Sequence, residues 1–164
     1  YFASDFHLGL AAGTDPHERE QRVIAWLDRV SADAESVWLL GDVFDFWWEY
    51  RKVIPKGFTR FLGRLSALTD RGIAVHIFTG NHDMWMKGYL DEECGVKVHY
   101  EPFVAEIGGA IFYLAHGEGL GLYVQCHCGI LIASMGKNKV QIRLRQFDGR
   151  HAAVEHVLPE DTCE

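Results

Sequence analysis

The residues in this chain that could do chemistry fall into four short clusters: Asp5 with His7, Asp42, Asn81 with His82 and Asp83, and His116. Carboxylate, imidazole and amide oxygen donors, with no thiolate among them, suit borderline-to-hard divalent ions such as Mn, Fe or Zn. Residues two apart on an extended segment share a face, so Asp5-Phe6-His7 sets two donors on one side of a strand end. A single carboxylate at Asp42 could bridge two ions about 3.5 to 4 Å apart, the spacing that activates a water and clamps a phosphoryl group. An isolated Asp-x-His is more often a loop or a cap, and His116 alone would read as a core histidine. Their shared position at strand ends raises them as a set.

The elements that must position these side chains alternate. Tyr1 to Ser4 reads as a buried strand running into Asp5-Phe6-His7-Leu8-Gly9. Asp15-Pro16-His17-Glu18 has the form of a helix start, with Asp15 as cap, Pro16 in the first helical position and Glu18 at the capping-box position. Val23, Ile24, Trp26, Leu27 and Val30 give that helix its apolar face. A second strand, Ser36 to Leu40, runs into Gly41-Asp42. Phe58, Phe61, Leu62, Leu65 and Leu68 mark a second helix, closed by Gly72 as a left-handed cap. A third strand, Ile73 to Thr79, runs into Gly80-Asn81-His82-Asp83. Strand–helix alternation implies a parallel sheet, whose sites lie at the carboxyl ends of its strands. After Val96 the pattern changes to strands at Phe103 to Ile107, Ala110 to Ala115, Ile130 to Ser134, Val140 to Phe147 and His151 to Leu158, punctuated as an antiparallel meander. The expectation is a mixed sheet, or two sheets packed face to face, with flanking helices.

The 164 residues are 48% hydrophobic, 24% charged and 13% aromatic, which describes one domain with a full core, spanning 1–164. A formal charge of -7, from 16 basic and 23 acidic residues, disfavours general nucleic-acid binding. No run reaches a membrane span, and no basic n-region precedes Tyr1-Phe2-Ala3-Ser4, so neither a transmembrane segment nor a signal peptide is expected. The opening inside a strand, without methionine, reads as a chain trimmed at its front. Cys94, Cys126, Cys128 and Cys163 form no disulfide framework and point to a reducing compartment. Cys126-His127-Cys128 is a poor zinc site, because adjacent strand residues face opposite ways.

Asp5-Phe6-His7, Gly41-Asp42, Gly80-Asn81-His82-Asp83 and His116-Gly117 follow one another at intervals of roughly 35 to 40 residues. In that order they resemble the calcineurin-like metallophosphoesterases, whose signature is D-x-H, G-D, G-N-H-[DE], a strand-end His-Gly and a final G-H-x-H. The resemblance covers residues 1 to about 121. Within it, Ser4-Asp5-Phe6-His7-Leu8-Gly9 and Leu40-Gly41-Asp42-Val43-Phe44-Asp45-Phe46-Trp47 are most similar to the branch that hydrolyses UDP-2,3-diacylglucosamine in lipid A synthesis. At His82 other members of that branch carry Arg.

What the resemblance implies is an α/β (α+β mixed) fold, a sandwich of two mixed sheets flanked by helices, with the site at the C-terminal ends of the strands. Asp5, His7 and Asp42, with His127, would hold one metal, and Asp42, Asn81 and His116 a second, with manganese expected and iron, zinc or magnesium as alternatives. His82 would steady charge or protonate the leaving oxygen, and Asp83 would orient its ring. The substrate would be an acylated UDP-sugar, cleaved to lipid X and UMP by a cytoplasmic enzyme peripheral at the inner membrane. Phe44, Phe46, Trp47 and Trp48 are first of all core, and through the resemblance also a candidate wall for acyl chains or a membrane contact. No G-H-x-H follows His116. Val124-Gln125-Cys126-His127 is its nearest remnant, and the helical insertion of the branch would fall near 121–122. Either that segment is missing from the sequence or a ligand and lid are lost, and His127 stays open between ligand and ordinary strand residue. Another phosphoesterase, acting on nucleotides, phosphoproteins or nucleic acid, or a non-catalytic metal-binding descendant, would share most of these residues.

Overall fold

The computed structural model describes residues 1–11, 15–107 and 110–116, together with the strand backbones at 132–136, 139–145 and 153–157. Two sheets form. The first is parallel in the order β1 (Phe2–Ala3), β2 (Ser36–Leu40), β3 (Ala74–Phe78), β4 (Lys97–His99). The second is antiparallel in the order β5 (Phe103–Ile107), β6 (Ala110–Leu114), β7 (Ile132–Gly136), β8 (Lys139–Arg145), β9 (Ala153–Val157). The sheets are therefore separated by sense rather than mixed: the strand–helix half builds the parallel one and the meander the antiparallel one.

Register explains why the parallel sheet is buried on both sides. Trp38 pairs with His76 and Leu40 with Phe78, while Phe78 pairs with His99. The strand period of two therefore sorts the sheet into an aromatic, histidine-rich face and an aliphatic face of Val37, Leu39, Val75 and Ile77. The aliphatic residues are at most 2% exposed. The aromatic face meets the second sheet: Phe2 stacks on Phe112 at 5.6 Å, and Trp38 on Phe103 at 6.3 Å.

Helix α1 (Pro16–Val30) begins as its sequence dictates, with the Asp15 carboxylate accepting from the His17 N–H and Pro16 in the first turn. Glu18 pairs with Arg22 one turn on. Helix α2 (Thr59–Asp70) closes on Gly72 at φ 83, where the N–H groups of Gly72 and Ile73 reach back to the carbonyls of Thr69 and Leu68. Its start has no local side-chain cap. The buried carboxylate of Glu20 in α1 accepts from the Phe61 N–H at 3.2 Å instead, so one helix caps the other. A short helix α3 (Tyr89–Cys94) and β4 complete the parallel layer; local pattern gave no warning of either.

Between the sheets, His76 stacks on Trp38 at 3.7 Å and its Nδ1 is 2.9 Å from His99 Nε2. Burial, followed by the charges of His99 and Lys97, pushes His76 from its ordinary 6.5 down to about 4, and burial lowers His99 as well. The unfolded chain binds these protons near pH 6.5 and the folded one only at lower pH. Stability from this contact is thus complete above about pH 6.5 and is lost as pH falls toward 4, by about 1–2 kcal/mol once partial solvent exposure is allowed for. Urea unfolding at pH 7.5 and 4.5 should show a smaller acid loss in His76→Phe than in the unsubstituted protein; equal losses would contradict this reading.

Candidate metal centre

Beyond the ends of β1 and β2 the two chains stay paired as loops. Asp5 N–H donates to the Gly41 carbonyl, His7 N–H to that of Asp42 and Leu8 N–H to that of Val43, and Asp45 N–H returns to that of Leu8, all at 3.0–3.1 Å. The third loop is tied in by a wholly buried carboxylate. Asp83 Oδ1 accepts from the Gly80 N–H at 2.7 Å, and Oδ2 from Val43 at 2.8 Å and Phe44 at 3.2 Å. His82 N–H donates to Asp42 Oδ1 at 3.0 Å. Three segments remote in sequence are fixed in one frame by backbone donors.

Within that frame, Asp42 Oδ2 stands 3.4 Å from His116 Nε2 and 3.8 Å from His7 Nε2, and His7 Nε2 is 3.9 Å from Asp5 Oδ1. His116 Nδ1 donates to the Leu40 carbonyl at 2.9 Å, which turns Nε2 toward the carboxylates. Ser4 donates its hydroxyl to Asp5. Donor atoms of Asp5, His7 and Asp42 all lie within 4.8 Å of one another, and so do those of His7, Asp45 and His82. Hard oxygen and imidazole donors converging in this way fit divalent cations.

The backbone is strained here. Asp5, His7 and Asp42 have φ of 56, 44 and 49, the left-handed region that costs a side-chain-bearing residue about 1–2 kcal/mol. Two glycines allow the close approach. A Cβ on Gly80 would stand 2.1 Å from Asp42 Oδ1 and 2.6 Å from its backbone N, and one on Gly41, at φ +88, would stand 2.4 Å from His116 Nδ1. The glycines of the G-D and G-N segments are thus spacers for the donors beside them.

Electrostatics follow the same geometry. Burial raises the Asp42 carboxyl, but hydrogen bonds from His116 and the His82 backbone, with the charges of His116 and His7, outweigh it and hold the group below the usual carboxylate range. For His116 burial opposes protonation, yet the bonds to Asp42 and Leu40 and the Asp42 and Asp5 charges push it up to about 9. A field that favours a proton on Nε2 favours a cation there. Asp83 is raised, chiefly by burial.

The structure brings Asp5, His7, Asp42 and His116 together. Asn81 lies between Gly80 and His82, whose N–H groups are both bonded into the centre, and the residue is exposed. His82 packs edge-on against His7 with ring centroids 4.7 Å apart. The expectation that Asp83 orients the His82 ring is corrected: both Asp83 oxygens are taken by backbone N–H groups, and His82 Nδ1 donates to the Asp45 carbonyl at 2.9 Å, with Asp45 Oδ1 3.5 Å away. Asp45 is the donor of this cluster that sequence reasoning missed, although a second carboxylate three positions after Asp42 was a visible signal. Phe44 and Trp47 are core, as expected, whereas Phe46 and Trp48 are 56% and 43% exposed. His127 and the 121–122 junction lie outside the described residues.

Two layers of strands with a carboxylate–imidazole centre at the parallel sheet's C-terminal edge define a class. Residues 2–148 match the model of the calcineurin-like phosphoesterases, and the chain belongs to that family, which implies divalent metals. More particularly, it is 48% identical over 118 residues to the UDP-2,3-diacylglucosamine hydrolase of Porphyromonas gingivalis, covering 72% of this chain and 45% of that protein. It is 28% identical over 120 residues to the enzyme of the same name from Nitrosococcus oceani, covering 73% of this chain and 46% of that protein. The chain spans about half the length of the curated relatives it matches.

Gly80→Ala requires no positive φ, but its Cβ would meet both the side chain and the backbone N of Asp42, so it should displace Asp42 together with its loop. Manganese affinity measured by calorimetry should fall about 10- to 100-fold. Affinity equal to that of the unsubstituted protein would show that the close approach has no bearing on ligation.

Proposed function

We propose that this chain carries the centre of a two-metal hydrolase that cleaves the pyrophosphate of UDP-2,3-diacylglucosamine to lipid X and UMP in lipid A synthesis. The observation that carries this reading is Asp42: one of its oxygens faces both His7 Nε2 and His116 Nε2, the position of a bridging ligand. Asp5, His7 and Asp42 would hold one cation, with His127 as the resemblance implies, and Asp42, Asn81 and His116 the other. Manganese suits the donors, with iron, zinc or magnesium as alternatives. Bound there, the cations would supply a water of lowered pKa and neutralise charge on the phosphoryl oxygens.

The chain's own groups do the rest. Because Nδ1 of His82 is committed to the Asp45 carbonyl, Nε2 is the ring nitrogen left for substrate, and as imidazolium it can steady or protonate the leaving oxygen. Asp83 contributes by holding the β2 and β3 loops in register rather than by touching the reacting atoms. An exposed ridge continues from Asp45 and His82: Phe46 and Trp48 flank Trp85 at 6.1 and 5.7 Å, and Lys87 Nζ lies 5.4 Å from the Trp48 ring. An apolar surface with a cation at its margin supports acyl-chain contact and attachment to an anionic membrane face. Among the described residues no helix is long and apolar enough to cross a membrane. The acylated substrate and this ridge are what support a place at the cytoplasmic surface of the inner membrane.

At about 0.8 kcal/mol per buried methylene, even partial acyl burial outweighs any difference the metals make between phosphate esters. With full-length, manganese-loaded protein, kcat/KM for UDP-2,3-diacylglucosamine should exceed that for UDP-N-acetylglucosamine or an aryl phosphate by at least about a hundredfold. Equal values would leave a phosphoesterase of another specificity. In Asp42→Ala, turnover should vanish while circular dichroism and unfolding stay close to those of the unsubstituted protein; near-normal turnover would eliminate the two-metal scheme.

A further inference from the structure

We propose that a cavity beside His116 receives the uridine end of the substrate, with Tyr100 as the ring against which the base stacks. The inference rests on the pyrophosphate reading and assigns that substrate's polar end. The cavity has a volume of about 250 Å³, is open on one side and shares Gly80 and His116 with the metal centre, so it adjoins the place where the reacting phosphorus would sit.

Its lining suits a flat, neutral, hydrogen-bonding group. Phe78 and His99 form one stacked pair of rings, 4.6 Å apart and 12° from parallel. His99 is fixed from behind by its contact with His76, so this wall does not have to be ordered when a ligand arrives. Tyr100 is 52% exposed, so its ring remains open to a stacking partner. Glu101 is among the lining residues, and a carboxylate is the acceptor that an imide N–H or ribose hydroxyls would need. Neither Lys nor Arg lines the cavity among the described residues, which argues against a further phosphate there.

Size and position separate the two ends of the substrate. At about 250 Å³ the cavity has room for one compact ring system rather than for two acyl chains. Those chains have the exposed ridge of Phe46, Trp48 and Trp85, adjacent to Asp45 and His82. The centre is therefore flanked by two unlike surfaces, as a pyrophosphate is flanked by two unlike groups.

The test is equilibrium binding to full-length, manganese-loaded protein, using UMP, ribose 5-phosphate and inorganic phosphate as probes. UMP should bind about tenfold more tightly than ribose 5-phosphate, and Tyr100→Ala should remove that advantage while inorganic phosphate binds as before. Tyr100→Phe, which keeps the ring, should restore it. Equal affinities for UMP and ribose 5-phosphate, or an unchanged UMP advantage in Tyr100→Ala, would overturn the assignment. If UDP-2,3-diacylglucosamine is hydrolysed while UMP shows no preference, the cavity assignment falls and the reaction stands. If the lipid substrate is not hydrolysed and UMP shows no preference, both fall.

Discussion

The metal centre turns on one carboxylate held in an unfavourable backbone conformation. Asp42 sits immediately after β2 at φ 49, with one oxygen on the His82 N–H and the other facing His7 and His116. Neither strain nor desolvation would be tolerated by an ordinary loop. They persist because neighbours on three loops over-determine the geometry: Gly41 and Gly80 leave space, Asp83 stitches the β2 loop to the β3 loop, and Leu40 aims His116. A parallel sheet is the scaffold that permits this, because each of its strands delivers a loop to the same edge.

Much of that design was legible in the residues. Asp15 and Pro16 start α1 and Gly72 ends α2 as their types require, since caps are short-range physics written in adjacent residues. Three of the four ordered clusters lie on loops at one sheet edge, which must converge, and His116 joins them from the end of β6 in the other sheet. What escaped the sequence was longer-range. Glu20 caps α2 from a neighbouring helix, and nothing near Phe58 in sequence reveals it. Asp83 was expected to serve His82, its chain neighbour, but serves backbone N–H groups about forty residues away. Register, not sequence spacing, decides such partners.

The aromatic segment after Asp42 shows the same division. Phe44 and Trp47 are buried completely, while Phe46 and Trp48 face outward beside Trp85, so one run supplies core and exposed ridge together. From Phe46 to Tyr50 exposed and buried residues alternate, which places a large apolar surface within a few residues of Asp42 and Asp45 without opening the core that supports it. Asp45, between Phe44 and Phe46, contacts both histidines of the cluster: its carbonyl accepts from His82 and its carboxylate stands 3.7 Å from His7 Nδ1. The centre and its apolar flank are parts of one loop.

The bridging role of Asp42 is the claim on which the metal chemistry depends, and anomalous diffraction from manganese-soaked crystals of the full-length protein tests it most directly. Two peaks about 3.5 to 4 Å apart are expected on either side of the Asp42 carboxylate, one toward Asp5 and His7 and the other toward Asn81 and His116. A single peak among His7, Asp45 and His82, with Asp42 outside its coordination sphere, would contradict it.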